Sequence, residues 1–271
     1  MREVARAVSD PEHPGQSLYD RWLEHARSQN ASREGQPPIA APPVGALGSG
    51  SDYTAFLDHL GIASIDMGIS GDAGGTYHSI YDDAMWFRKF VDPEFAYSVA
   101  ASEVAGIALL RFADADLLPF DYETYGRQIE EYVGEIEKQA KEPRRGSPGG
   151  AGTVDFAALR SAAESLSRAG AAVRSRGAAL VAGNDARALD ALNRALVQAE
   201  RDLIEPSGLP DRPWFRHTIY APGLYTGYGV KTIPGVREAV EAQNPARAAE
   251  QARLVVAALR RAQKRLEDVA R

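Results

Sequence analysis

The chain of 271 residues contains no cysteine, which excludes disulfides, thiolate nucleophiles and cysteine metal ligands but does not fix the compartment. Histidine is scarce: His13, His25, His59, His78 and His217 are the five imidazoles. Lysine is outnumbered by arginine, 5 against 26, a bias read as codon usage and not as a binding signal. Basic residues are fewer than acidic ones, 31 against 37, for a formal net charge of −6. That balance argues against a dedicated nucleic-acid binder, which carries a basic surface or stripe. No uninterrupted apolar run approaches the ~20 residues of a bilayer-spanning helix; the longest, 104–110 and 254–259, are core-sized. Residues 1–8 interleave charges in a helical pattern and lack the apolar stretch of a signal peptide. A chain that opens inside such a pattern, with no lead-in, reads as the tail of something longer. There is no Walker loop, no His-Glu-x-x-His motif and no readable serine–histidine–acid arrangement.

What is present is a globular composition, 44% hydrophobic and 25% charged, long enough for one large domain or two ordinary ones. The two halves differ: 19 alanines fall in 1–150 and 27 in 151–271, so the second part is richer in helix formers. In the first half, the Pro/Gly/Ala-rich 36–50 reads as a loop, and 52–60 as a short helix capped by Ser51 or Asp52. Gly61 stops it, 62–69 reads as a short buried strand, and 70–76 is a glycine-rich loop leading to Tyr77-His78. Asp92-Pro93 opens a helix to about Ala113. That is α/β grammar, although one strand cannot make a sheet without partners elsewhere. The second half predicts helices over 122–141, 154–181 (weakened by Gly170 and Gly177), 186–204, a short one from Gly235, and 245–269. A Pro/Arg/Gly/Ser linker occupies 142–152, and 209–232 is irregular and aromatic-rich. Long helices with short connections predict a four-helix-bundle-like domain.

Three features offer chemistry, each with a plainer alternative. His78, after a glycine-rich loop and ahead of Asp82 and Asp83, has the surroundings of a metal ligand with an orienting carboxylate, or of a residue hydrogen-bonding the next helix. Gly48-Ser49-Gly50-Ser51-Asp52 permits close backbone approach at a helix start, or is an ordinary capped loop. The aromatics and glycines of 210–235, with Lys231, form a pocket wall or staple the loop to the bundle. The faces carrying Leu189, Leu192 and Leu196, and Val255, Leu259, Ala262 and Leu266, read as core or partner surface.

Lined up, these pieces resemble one family. Gly48-Ser49-Gly50-Ser51-Asp52-Tyr53, Leu60-Gly61-Ile62-Ala63-Ser64 and Tyr77-His78-Ser79-Ile80-Tyr81-Asp82 come in order. Leu118-Pro119-Phe120-Asp121, Gly208-Leu209-Pro210-Asp211-Arg212-Pro213 and Arg216-His217-Thr218-Ile219-Tyr220-Ala221-Pro222 follow. Together they look like the C-terminal part of the glutamate carboxypeptidase II and transferrin receptor family of di-zinc exopeptidases. The resemblance implies an α+β chain: 1–115 as the C-terminal piece of an α/β zinc-peptidase domain, then 116–271 as an all-α, four-helix-bundle-like dimerisation domain.

The resemblance also implies roles. His78 matches the last zinc-ligand histidine of a two-zinc site, and Tyr77 a tyrosine beside it in the substrate cleft. Gly50 and Ser51 match the loop lining that cleft, and Tyr228 a tyrosine that holds a C-terminal glutamate side chain. The departures are specific: Gly227 stands where the glutamate-specific enzyme has a lysine, Lys231 lies out of register, and Ile65, Asp66, Met67 and Gly68 replace an arginine patch. No candidate for the other zinc ligands or the catalytic glutamate exists in this chain. The expectation is therefore a fragment of a zinc-dependent exopeptidase acting on peptides, inactive alone and homodimeric through its C-terminal helices. The alternative is a non-catalytic helical interaction module of the transferrin receptor type.

Overall fold

A computed structural model describes residues 1–31, 37–71, 76–141 and 154–271. The linker expected over 142–152 and most of the glycine-rich loop at 70–76 lie outside the described residues. The chain divides into two compact units, one of residues 1–45 and 67–115, the other of 46–66 and 116–271. The segment 46–66, which sequence alone groups with the first half, packs within the second unit.

The second unit is built on long helices. They are α5 (Tyr122–Lys141), α6 (Phe156–Ala182), α7 (Ala186–Arg201), α8 (Pro234–Glu241) and α9 (Pro245–Ala270). The carboxylates of Asp155 and Asp185 and the amide oxygen of Asn244 cap α6, α7 and α9, each accepting a backbone N–H three residues on. Such a cap satisfies a donor that the helix cannot. α6 is central, packing along α5 on one side and α9 on the other, with α7 and α8 against α9. Ile129, Val133 and Ile136 of α5 meet Leu159, Ala163 and Leu166 of α6, all essentially inaccessible to water. Leu192, Leu196, Val255, Leu259, Ala262 and Leu266 complete the same core.

The glycines expected to weaken α6 have a packing role. Gly170 receives Tyr122 and the Glu123 amide at the start of α5, and Gly177 receives Leu117. Gly126 of α5 does the reciprocal, since a Cβ there would sit 2.5 Å from the Ser167 nitrogen of α6. Backbone-to-backbone approach of this kind admits no side chain on either helix.

Between α7 and α8, the aromatic-rich stretch forms a hairpin of β1 (Tyr220–Pro222) and β2 (Val230–Thr232), antiparallel with Ala221 opposite Lys231. The expected strand at 62–69 does not form. Its apolar residues alternate, but no partner strand lies beside it among the described residues, and Ile65, Met67 and Ile69 are exposed. The short helix before it is a π-helical turn, Ala55–His59. Neither Ser51 nor Asp52 caps it through a side chain; instead the Ser51 carbonyl accepts from the Thr54 N–H and hydroxyl.

The first unit comprises α1 (Arg2–Ala7), α2 (Leu18–Ala31), a short turn α3 (Ala84–Trp86) and α4 (Ala96–Ala113). α2 and α3 were not expected from the pattern. α2 begins at a reciprocal cap in which Ser17 and Asp20 bond each other's backbone N–H. α4 begins three residues later than Pro93; the Asp92 carboxylate accepts the Tyr97 and Ser98 N–H groups while Phe95 adopts a left-handed conformation. By length and composition α4, with mean hydropathy 1.3, is apolar enough to cross a membrane, and only 11% of it is buried. A search for unbroken apolar runs misses it because Glu103 and Arg111 interrupt the run without lowering its mean far.

Two predictions concern stability. Gly126→Ala should destabilise the protein by about 1–3 kcal/mol through overpacking, while Gly134→Ala on the same helix, where a Cβ meets nothing within 4 Å, should stabilise it by about 0.5–1 kcal/mol. Urea midpoints of the two variants should therefore move in opposite directions. The second concerns Asp58 in the π-helical turn, which is fully buried with neither carboxylate oxygen hydrogen-bonded. Burial pushes its carboxyl from 3.8 up to about 8, against the opposing pull of Arg212. The folded state thus keeps a proton that the unfolded chain loses, so this group erodes stability as pH rises from about 4 to about 8. Asp58→Asn should flatten that slope and be more stable than the parent at pH 8.5 by about 1–3 kcal/mol; equal slopes in urea titrations across this range would count against it.

Candidate functional site

The root of the hairpin is fixed by buried polar groups. The His217 Nδ1 accepts the backbone N–H groups of Ile219 and Tyr220 at 3.2 and 3.1 Å. Nε2 therefore carries the ring proton and donates to the Glu200 carboxylate of α7 at 3.0 Å. Both residues are buried. The Tyr220 ring stacks on His217 and on Tyr125, with centroids 5.5 and 5.9 Å apart. The backbone N–H of His217 donates, with that of Arg216, to the Asp58 carbonyl. This ties segment 46–66 to the hairpin, and the His59 Nδ1 contact with the Trp214 carbonyl at 2.7 Å reinforces it.

The hairpin tip spans 223–229. The Thr226 hydroxyl accepts from the Gly223 N–H at 2.9 Å and donates to the Gly229 carbonyl at 2.6 Å, closing the turn. Gly227 takes a positive φ. Tyr228 then meets the loop at 48–51: its carbonyl accepts the Ser49 N–H at 3.2 Å, and its ring covers Gly50. A Cβ on Gly48 would lie 2.5 Å from the Tyr228 carbonyl oxygen, and one on Gly50 (φ +114°) 3.2 Å from the ring. Both glycines are thus required by the close approach. Gly50, Ser51 and Tyr228, distant in sequence, come together in one unit, with the Ser51 residue and the Tyr228 ring exposed to solvent.

Tyr77 and His78 belong to the other unit. Their rings stack at 3.9 Å, both are exposed, and His78 adopts a left-handed φ of 60° in the turn before α3. Of the two carboxylates considered as orienting partners, Asp83 is engaged in capping α3, accepting the Trp86 N–H at 2.8 Å. Among the described residues no group of three or more His, Asp or Glu side chains is arranged to hold a metal ion. A single exposed imidazole does not make a zinc site, because a catalytic zinc needs about three protein ligands. No hydrolytic step is therefore assigned to these residues alone.

Three cations flanking the hairpin, Lys231, Arg212 and Arg237, are each paired with a carboxylate. Lys231 Nζ donates to Glu241 at 2.6 Å, and Arg212 to Glu238 at 2.8 Å and to the Pro222 carbonyl. Arg237 pairs with Glu135 at 2.8 Å. Sequence reasoning did not find the Glu200–His217 pair, the Thr226 clasp or buried Asp58. None carries a spacing signal: Glu200 and His217 meet across elements, the Thr226 clasp is closed through backbone groups of its own turn, and the burial of Asp58 comes from packing.

Comparison with known proteins agrees with this architecture. Residues 154–267 match the transferrin receptor-like dimerisation domain. A probable glutamate carboxypeptidase of Arabidopsis thaliana, LAMP1, is 33% identical over 241 residues, covering 89% of this chain and 32% of that protein. A probable glutamate carboxypeptidase of Arthroderma benhamiae is 38% identical over 213 residues, 76% of this chain and 28% of its own length. The aminopeptidase NAALADL1 of Rattus norvegicus is 28% identical over 246 residues, 87% and 31% respectively. The chain spans about a third of the length of these curated relatives. It belongs, over this stretch, to the glutamate carboxypeptidase and transferrin receptor family, of which it carries the helical dimerisation domain.

Proposed function

We propose that this chain is the substrate-wall and dimerisation portion of a metal-dependent exopeptidase that cleaves peptides. The observation that carries the reading is the docking of Tyr228 on Gly50, which joins two segments 178 residues apart in sequence into one exposed surface. The relatives' names, glutamate carboxypeptidase and aminopeptidase, support the reaction class. In this reading residues 1–115 are the end of a peptidase domain and 116–271 the dimerisation domain. Tyr77 lies beside the substrate, Gly50, Ser51 and Tyr228 wall it, and His78 is one ligand of a two-zinc site whose other ligands lie outside these 271 residues. Bound zinc would supply an activated water. The contribution of this chain's residues is to bind and orient the peptide.

Two measurements bear on this. Incubated with zinc and a panel of dipeptides, the 271-residue chain should show no hydrolysis above buffer, because it lacks the remaining ligands and a general base; robust, chelator-sensitive turnover would overturn the division of labour. Light scattering should give twice the chain mass, since the matched domain is a dimerisation domain and α5 to α9 hold the faces through which we expect pairing. A monomer at the highest soluble concentration would refute the dimer. It would also leave neither this reading nor a non-catalytic dimerisation module with its main structural role.

A further inference from the structure

Segment 46–66 is held to the helical unit by few contacts. It contains a single short helical turn, and of its residues only Gly48, Leu57, Asp58 and Gly61 are buried. Phe56 and Leu60 beside them are half exposed. The glycines bring no side chain to the interior, so the anchor is Leu57 and Asp58. Burying Leu57 is favourable. Asp58 is a fully buried carboxyl with no hydrogen-bond partner on either oxygen, a group that tolerates burial only while it is uncharged. The same residue ties the segment down: its backbone carbonyl accepts the N–H groups of Arg216 and His217 at 2.7 and 3.0 Å.

The charged and titratable groups of this clasp lie on three elements. Tyr53 and His59 belong to the segment itself, and the His59 Nδ1 meets the Trp214 carbonyl. On the facing stretch, Arg216 and His217 reach Asp58 through their backbone N–H groups, and the His217 ring is committed to Glu200. Arg201, at the end of α7, packs its backbone on Gly61. Arg212 is the cation whose charge reaches Asp58, but its guanidinium is bound to Glu238 and the Pro222 carbonyl. Burial therefore wins over that attraction and raises the carboxyl to about 8.

We propose that Asp58 is a pH-sensitive latch on segment 46–66: protonated, it stays packed and the segment stays docked; ionised, it leaves the interior and draws the segment away, parting Gly50 from Tyr228 while α5 to α9 stay folded. Each opening releases one proton to water, so alkaline conditions favour the open form. The latch concerns how the Gly50–Tyr228 contact is held and is independent of what that surface binds.

The test is amide hydrogen exchange on the 271-residue chain between about pH 5 and pH 8, each rate divided by the intrinsic rate at that pH. The amides of Ser49, Arg216 and His217 report the clasp, and that of Val133 in α5 reports global unfolding. The clasp amides should be about tenfold or more less protected than Val133 at every pH, because the segment opens without the bundle. Their protection should fall roughly tenfold per pH unit, the slope of one proton released per opening. Asp58→Asn, which has no proton to lose in this range, should abolish the fall. The side-chain carboxyl carbon shift of Asp58 in the parent chain should be that of the acid form at about pH 6.5. Clasp protection equal to that of Val133 would overturn the latch, since Asp58 would then be exposed by global unfolding alone. Protection that does not change with pH, or an ionised carboxylate at about pH 6.5, would overturn Asp58 as its sensor, and neither of these readings needs the variant.

Discussion

One buried imidazole holds the candidate site in place. His217 lies in an interior where an unpaired polar group is costly, and each ring nitrogen has a defined partner: backbone amides on one side, the Glu200 carboxylate on the other. The two amides bound by Nδ1 set where β1 begins, and Glu200 fixes that point to α7. The His217 N–H then reaches the Asp58 carbonyl, carrying the constraint into segment 46–66. Because both ends of the contact are anchored this way, Tyr228 comes down on Gly50 in a single register. Loss of the ring would leave Glu200 buried without its partner, so the pair acts by making alternatives expensive and not by adding much stability of its own.

The two units stand on different energetic footing. In the helical unit, a continuous core runs from Ile129 through Leu166 to Leu259, and the closest approaches of α5 and α6 are made by glycines. In the other, the buried apolar residues are few, chiefly Val4, Val8, Tyr19 and a handful of alanines. Ile80, Met85, Leu109 and Leu110 face solvent there. This fits the proposal that residues 1–115 are part of a larger domain, as does the chain's match to about a third of its relatives' length.

The chemistry is distributed in the same manner. Metal-assisted hydrolysis needs several ligands and a base converging on one point, and the described residues provide an isolated His78. What the helical unit does provide is shape and polarity: a closed turn, an exposed tyrosine face and cations already neutralised by carboxylates. In the proposed reading these properties contribute to binding the peptide and are separable from the hydrolytic step.

The amino-acid sequence by itself determined the long helices, because a repeat of three to four residues in Ile129, Val133 and Ile136, or in Val255, Leu259, Ala262 and Leu266, has one reading, and Asp155, Asp185 and Asn244 mark their starts. It also determined the family, since ordered motifs along most of the chain survive where single contacts change. It misread 62–69, where alternation signals a strand only if another strand is there to pair with, and it passed over α2, whose single local sign was the Ser17–Asp20 cap. Only the tertiary structure decided that 46–66 packs with the helical unit, that Gly170 and Gly177 are contact points and not weaknesses, and that Lys231 is bound to Glu241. Each of these depends on a partner in another element, and sequence spacing carries no record of such a partner.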